Sequence, residues 1–190
     1  MRHGFKSQAE RLSAGARSEL RLSPLAPLNP WTYARHLGVL VLDFGELALS
    51  AEASRRLLQT DSDSWSGMTL REANTTAIIV NPSHALVRQC STLMHELSHF
   101  VLRHQPARVD VSPTGMLLLS EYSDGDEAEA DWLAGAMLLP RDALMRHRRQ
   151  GQSVAEIAQI FGASEQLCEW RLRMTGVNTQ LRRLGALRAS

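Results

Sequence analysis

The chain has 190 residues, 44% of them hydrophobic, with a formal net charge of +1. It is long enough to bury a core, and it carries no overall field that would draw it to nucleic acid or an anionic membrane. Cys90 and Cys168 are the only cysteines; two widely separated thiols do not make a disulfide scaffold and read as small buried side chains. Residues 1–10 are polar and lack the apolar core of a secretory signal, and no apolar run approaches the roughly 20 residues of a membrane helix, so the expected compartment is the cytosol.

In chain order, Ala9, Leu12, Ala16 and Leu20 recur at helical spacing and predict an amphipathic helix over 7–20. Pro24, Pro27 and Pro30 make 23–30 a connector, with Asn29-Pro30 as a helix start and Gly38 as its stop. Val39 to Leu42 reads as a short buried strand, 49–58 as a further helix and 60–64 as a polar loop. Met68–Arg71 and Ala77–Val80 read as paired strands joined near Asn74. A long helix is predicted from about Ala85 to His104, with Cys90, Leu93, Met94, Leu97, Phe100 and Val101 on its apolar side and Pro106 beyond its end. Residues 110–122 read as irregular or extended, and 126–139 as a second strong helix closed by Pro140. A last helix pair, 154–161 and 164–174, turns at Gly162. Helices, a small sheet, then helices predict an α+β fold, with a small mixed or antiparallel sheet packed on the long helix and a mainly helical C-terminal part. The expected division is 1–29, an N-terminal helix and connector; 30–149, a central domain; and 150–190, C-terminal helices.

His95-Glu96-Leu97-Ser98-His99 matches His-Glu-x-x-His on the long helix. Two histidines four residues apart share a helix face one turn apart, so both rings can reach one ion, and zinc suits imidazole donors. Glu96 lies beside them, placed to take a proton from a zinc-activated water. A catalytic zinc needs a third protein ligand and an open position. Leu102 and Gln105 stand where a metzincin has Gly and His, which excludes that class, and His104 lies about 140° round an ideal helix from His99, a poor ligand. The acidic stretch 124–131 is the better source. Glu127 and Asp131, four apart, suit a ligand and a carboxylate orienting a ligating His; Glu129 is the runner-up ligand. The plainer reading of these acids is a helix start answering the macrodipole. Tyr122 is a candidate to stabilise an oxyanion, and Trp132 and Trp170 read as core anchors.

Three segments and one arginine together resemble the ImmA/IrrE-type metallopeptidases: Ala77-Ile-Ile-Val-Asn81, then Arg88 and Leu93-Met-His-Glu-Leu-Ser-His-Phe-Val-Leu-Arg-His104, then Glu127-Ala-Glu-Ala-Asp-Trp-Leu-Ala-Gly-Ala-Met-Leu-Leu-Pro140. Ser98 stands where Gly is common in that family and Leu133 where an aromatic is common. The resemblance covers about residues 30–175. It implies zinc held by His95, His99 and Glu127, Glu96 as general base, and Asp131 as the acid behind a ligand. It further implies cleavage of helix-turn-helix repressors that control mobile elements or stress responses.

The stretch 154–172 itself has a helix-turn-helix shape, with Ala158 inside, Gly162 at the turn and Ser164 as cap. Residues 141–190 hold nine Arg and four acidic residues, which keeps DNA contact through 153–175 as a secondary reading. Glu165 and Glu169 oppose phosphate, so packing against the central domain or a partner repressor is the first reading. The rival from another class is a non-catalytic module that grips a repressor.

Overall fold

A computed structural model describes residues 1–47, 49–106, 108–111 and 117–185. Helix α1 (Phe5–Glu19) buries Phe5, Ala9, Ser13, Ala16 and Arg17, which fall on one helical face. In α2 (Pro30–His36) the Asn29 side chain accepts a hydrogen bond from the Thr32 amide at 3.0 Å, and Pro30 occupies the first helical position, where a missing N–H costs nothing.

The sheet is mixed, with order β1-β3-β2-β5-β4. Strand β1 (Leu40–Val41) is shorter and more exposed than its branched residues suggest: it is an edge strand, parallel only to β3, and Leu40 is 50% exposed. The hairpin β2 (Gly67–Glu72) and β3 (Thr75–Val80) forms as expected, with Ala73 at φ 49 turning the chain. Ile78 and Ile79 on β3 are both fully buried although they point to opposite faces, so this inner strand is covered above and below as well as flanked by β1 and β2. Where an irregular or extended stretch was expected, β4 (Arg108–Val111) and β5 (Leu117–Ser120) are extended and pair antiparallel, and β5 joins β2 with Thr69 opposite Leu119. The helix expected over 49–58 is α3 (Ala51–Arg55), started by the Ser50 hydroxyl and running into a wider five-residue turn, Arg56–Thr60.

Helices α4 (Leu86–Leu102) and α5 (Asp124–Leu138) pack on each other, with α4 also against β2 and β3. They are followed by α6 (Arg141–Arg149), α7 (Val154–Phe161), α8 (Glu165–Met174) and α9 (Val177–Arg183). One core runs from Phe5 on α1 through Leu97 and Leu133 to Leu181 on α9, so the three expected segments share it. Trp132 is 4% exposed and meets Trp170 edge-on at 5.4 Å, as expected of core anchors. Both cysteines are free; Cys168 is buried, whereas Cys90 is only partly covered. Among the described residues no helix is long and apolar enough to cross a membrane.

The C-terminal carbonyls of α5 are met from distant parts of the chain. Ser13 donates to Ala136 O (2.8 Å), Arg17 to Met137 O (2.7 Å) and Arg171 to Leu139 O (3.1 Å). These contacts satisfy groups that a helix end cannot pair within itself. Close packing here requires Gly135, where an added Cβ would lie 2.9 Å from both Arg171 Cδ and Trp170 Cζ3. Gly135→Ala gains about 1 kcal/mol of helix propensity. Overpacking costs about 1–3 kcal/mol, and it wins because Arg171 is pinned and cannot swing aside. The expected result is a net loss of about 1 kcal/mol in urea denaturation; an unchanged or raised midpoint would show that the contact relaxes freely.

Candidate metal centre

Helix α4 presents His95, Glu96 and His99 because its opposite side, Leu93, Met94 and Leu97, is locked in the core. Helix α5 begins at Ser123, whose hydroxyl accepts from the Asp126 amide, and its first turns bring Glu127 and Asp131 to the histidines. His95 Nε2 lies 3.0 Å from His99 Nε2 and 3.2 Å from Glu127 Oε2, and His99 Nε2 lies 3.7 Å from that same oxygen. One donor atom from each of the three residues falls within 4.8 Å of the others, a group able to hold a metal ion.

Asp131 Oδ1 meets His95 Nδ1 at 2.9 Å, on the far side of the ring from Glu127. Burial works against charge on His95, but the Asp131 hydrogen bond and the Glu96, Asp131 and Glu127 carboxylates outweigh it and raise its pKa. His99 moves the other way, to about 3, through burial and the neighbouring His95 and His104 rings; it stays a neutral imidazole, the form that binds metals. The His95 contact holds the Asp131 carboxyl below its ordinary range. Asp131→Ala is expected to weaken metal binding about 10–100-fold in a chelator competition; an unchanged affinity would deny it any part in orienting His95.

Glu96 is not one of the three donors; its Oε2 accepts the Thr69 hydroxyl on β2 at 2.6 Å. Burial raises its pKa, partly offset by the Thr69 bond. Gly67 makes room for this approach, since a Cβ there would lie 2.8 Å from Thr92 Cγ2 and 3.5 Å from Glu96 Cγ. Glu96 and His99 open onto a cavity of about 690 Å³, whose other walls include Thr69, Arg71, Tyr122 and Leu12 of α1. Tyr122 stacks on His99, rings 3.8 Å apart and 23° from parallel. Burial and the nearby Glu96 push its phenol up to about 12, so it remains a donor.

Glu129, the runner-up ligand, points elsewhere. It is 3% exposed; its carboxylate accepts from the Arg2 amide (2.7 Å), Nε (2.9 Å) and Nη2 (2.6 Å), and that pairing lowers its pKa. His104 is outside the donor group, yet it is not remote. Helix α4 stops at Leu102 and Arg103 takes a left-handed conformation at φ 55, so the His104 amide bonds to His99 O and its ring folds back to place Nδ1 3.0 Å from His99 Nδ1. The 140° separation holds only for a helix that continues. Sequence reasoning assigned His104 no role; the signal it lacked was the end of the helix.

The α7–α8 pair has its expected turn, with Gly162 at φ 61, Ala158 buried and the Ser164 hydroxyl accepting from the Leu167 amide. Of the arginines in this region, Arg171 is 0% exposed and bonded to Glu10 and Leu139 O, while Glu165 and Glu169 remain at the surface. Compared with known families, residues 47–173 match the model of the IrrE N-terminal-like domain, Peptidase_M78. No curated protein matches the chain.

Proposed function

This chain belongs to the IrrE N-terminal-like peptidase family, Peptidase_M78, and from that premise we propose that it is a zinc-dependent endopeptidase of the cytosol that hydrolyses a peptide bond in a protein partner. The single observation that carries the reading is the convergence of His95, His99 and Glu127, with Glu96 held beside them rather than among them. The donors fit zinc: two imidazoles present Nε2 and one carboxylate an oxygen, while His95 Nδ1 is tied to Asp131. Bound there, zinc would supply a Lewis acid that polarises a peptide carbonyl and acidifies water.

The rest falls to the chain's own residues. Thr69 fixes one oxygen of Glu96 and leaves the other to take the proton of the attacking water. A carboxyl raised by burial is the stronger base and also returns that proton readily to the departing amine as the C–N bond breaks. Tyr122, protonated and stacked on His99, would donate to the oxygen on which negative charge develops. The cavity between α1, β2 and α4 would take the substrate segment. The partner we propose is a helix-turn-helix transcriptional repressor, of the kind that controls mobile elements or stress responses. Burial of Arg171 favours protein packing over DNA contact by α8.

Elemental analysis of the purified chain is expected to find about one zinc per molecule, removed by His95→Ala. With zinc loaded, the repressor encoded beside the gene is expected to be cut into discrete fragments. No bound metal under any loading condition would leave only the non-catalytic binding module.

A further inference from the structure

His104 is a histidine that the proposed chemistry does not use. Its side chain is only 5% exposed, and its Nε2 has no hydrogen-bond partner among the described residues. That nitrogen faces two carboxylates, Asp126 Oδ1 at 3.5 Å and Glu129 Oε2 at 3.7 Å. Its other nitrogen, Nδ1, lies 3.0 Å from Nδ1 of His99, with the rings edge to face at 71°.

Two ring nitrogens at this distance need a hydrogen or a cation between them; for the Nε2 pair of His95 and His99 the metal reading supplies the cation, and for the Nδ1 pair the direction of the hydrogen follows from what surrounds each ring. If His104 donated, its Nε2 lone pair would face the two carboxylates, lone pair against lone pair. The proton of His99 would then sit on Nε2, among His95 Nε2 and Glu127, where it would bar a cation. If His99 donates, the Nε2–H of His104 points at Asp126 and Glu129, and the Nε2 lone pair of His99 faces the other two donors. Electrostatics favours this second arrangement at both ends. Glu129 is itself held by Arg2, so the chain of contacts runs Arg2, Glu129, His104, His99.

We infer that His104 is a positioning residue: its Nδ1 accepts the Nδ1–H of His99 and so aims the His99 Nε2 lone pair at the point shared with His95 and Glu127. This rests on the metal reading given above and adds to it the partner of the second imidazole. Asp131 orients His95, and His104 does the same for His99, with the left-handed Arg103 making the turn that allows it. Contacts of this kind typically change metal affinity about 10–100-fold.

The test contrasts two amides at one position. His104→Asn keeps an acceptor at the δ position, and His104→Gln moves it to the ε position, so it can reach Asp126 and Glu129 but not His99. Zinc affinity by chelator competition, and the visible spectrum of the cobalt(II)-loaded protein, are expected to stay near wild type in the Asn variant. The Gln variant is expected to bind about 10–100-fold more weakly with an altered cobalt spectrum. Equal affinities in the two variants, whether both strong or both weak, would overturn the inference. Independently of any variant, long-range proton–nitrogen correlations of the zinc-loaded wild type are expected to show His99 protonated at Nδ1 and His104 at Nε2. A His104 protonated at Nδ1 would overturn it as well. Absence of zinc binding in the wild type would instead defeat the metal reading itself, so the two failures are distinguishable.

Discussion

Glu96→Gln is expected to retain zinc at wild-type affinity and to lower peptide cleavage by about 10²–10⁴-fold, the usual contribution of a positioned general base. The amide keeps the size of the side chain and still accepts the Thr69 hydroxyl through its oxygen. What it cannot do is take a proton. Because Glu96 is not one of the three converging donors, the metal content should not move. The measurement is the rate of fragment formation from the repressor alongside zinc content. Cleavage undiminished by the substitution would remove Glu96 from the chemistry, and loss of metal along with activity would make it a ligand. Either result would contradict the geometry of α4.

The largest stability effect is expected far from the metal centre, at Glu10. Its carboxylate accepts from Arg171 Nη2 and from the Arg141 amide at 3.1 Å. Arg171 is 0% exposed, and burial lowers its pKa against the pull of Glu10. Glu10→Ala leaves that guanidinium buried with only Leu139 O and the face of Trp132, 5.6 Å away, for company. Removing one partner of a buried ion pair costs about 3–5 kcal/mol. For a chain this size that is a melting temperature lower by roughly 10 °C. The double variant Glu10→Ala with Arg171→Met should recover much of the loss, since an apolar replacement of the whole pair is often neutral. A single variant within about 1 kcal/mol of wild type would mean that water reaches Arg171 after all.

Much of this was legible from residue spacing. Helical periodicity located α1, α4 and α5, and the four-residue intervals His95–His99 and Glu127–Asp131 set each pair on one face, where the structure has them. Strands β4 and β5 were legible only as an irregular or extended stretch, because each has four residues and Ser112-Pro113-Thr114-Gly115 between them is made of turn-forming residues. Helices α6 and α9 escaped for a related reason: they bury only Ala143, Leu144 and Met145, and Val177 and Leu181, amid polar and charged neighbours. The contacts that decide Glu129 and Arg171 join residues 127 and 161 positions apart, beyond any local pattern. His104 was missed because a helical wheel does not know where its helix ends.

The contribution of α1 reaches beyond its own contacts. Ser13 and Arg17 finish the end of α5, Glu10 neutralises Arg171, and Leu12 walls the cavity onto which Glu96 opens. All of these lie upstream of residue 47, where the family match begins. The metal centre therefore lies within the matched module, while part of the scaffolding that keeps its second helix in place comes from residues upstream of the match. The first helix thus reaches both ends of the site, walling the cavity with Leu12 and fixing the far end of the helix that carries Glu127.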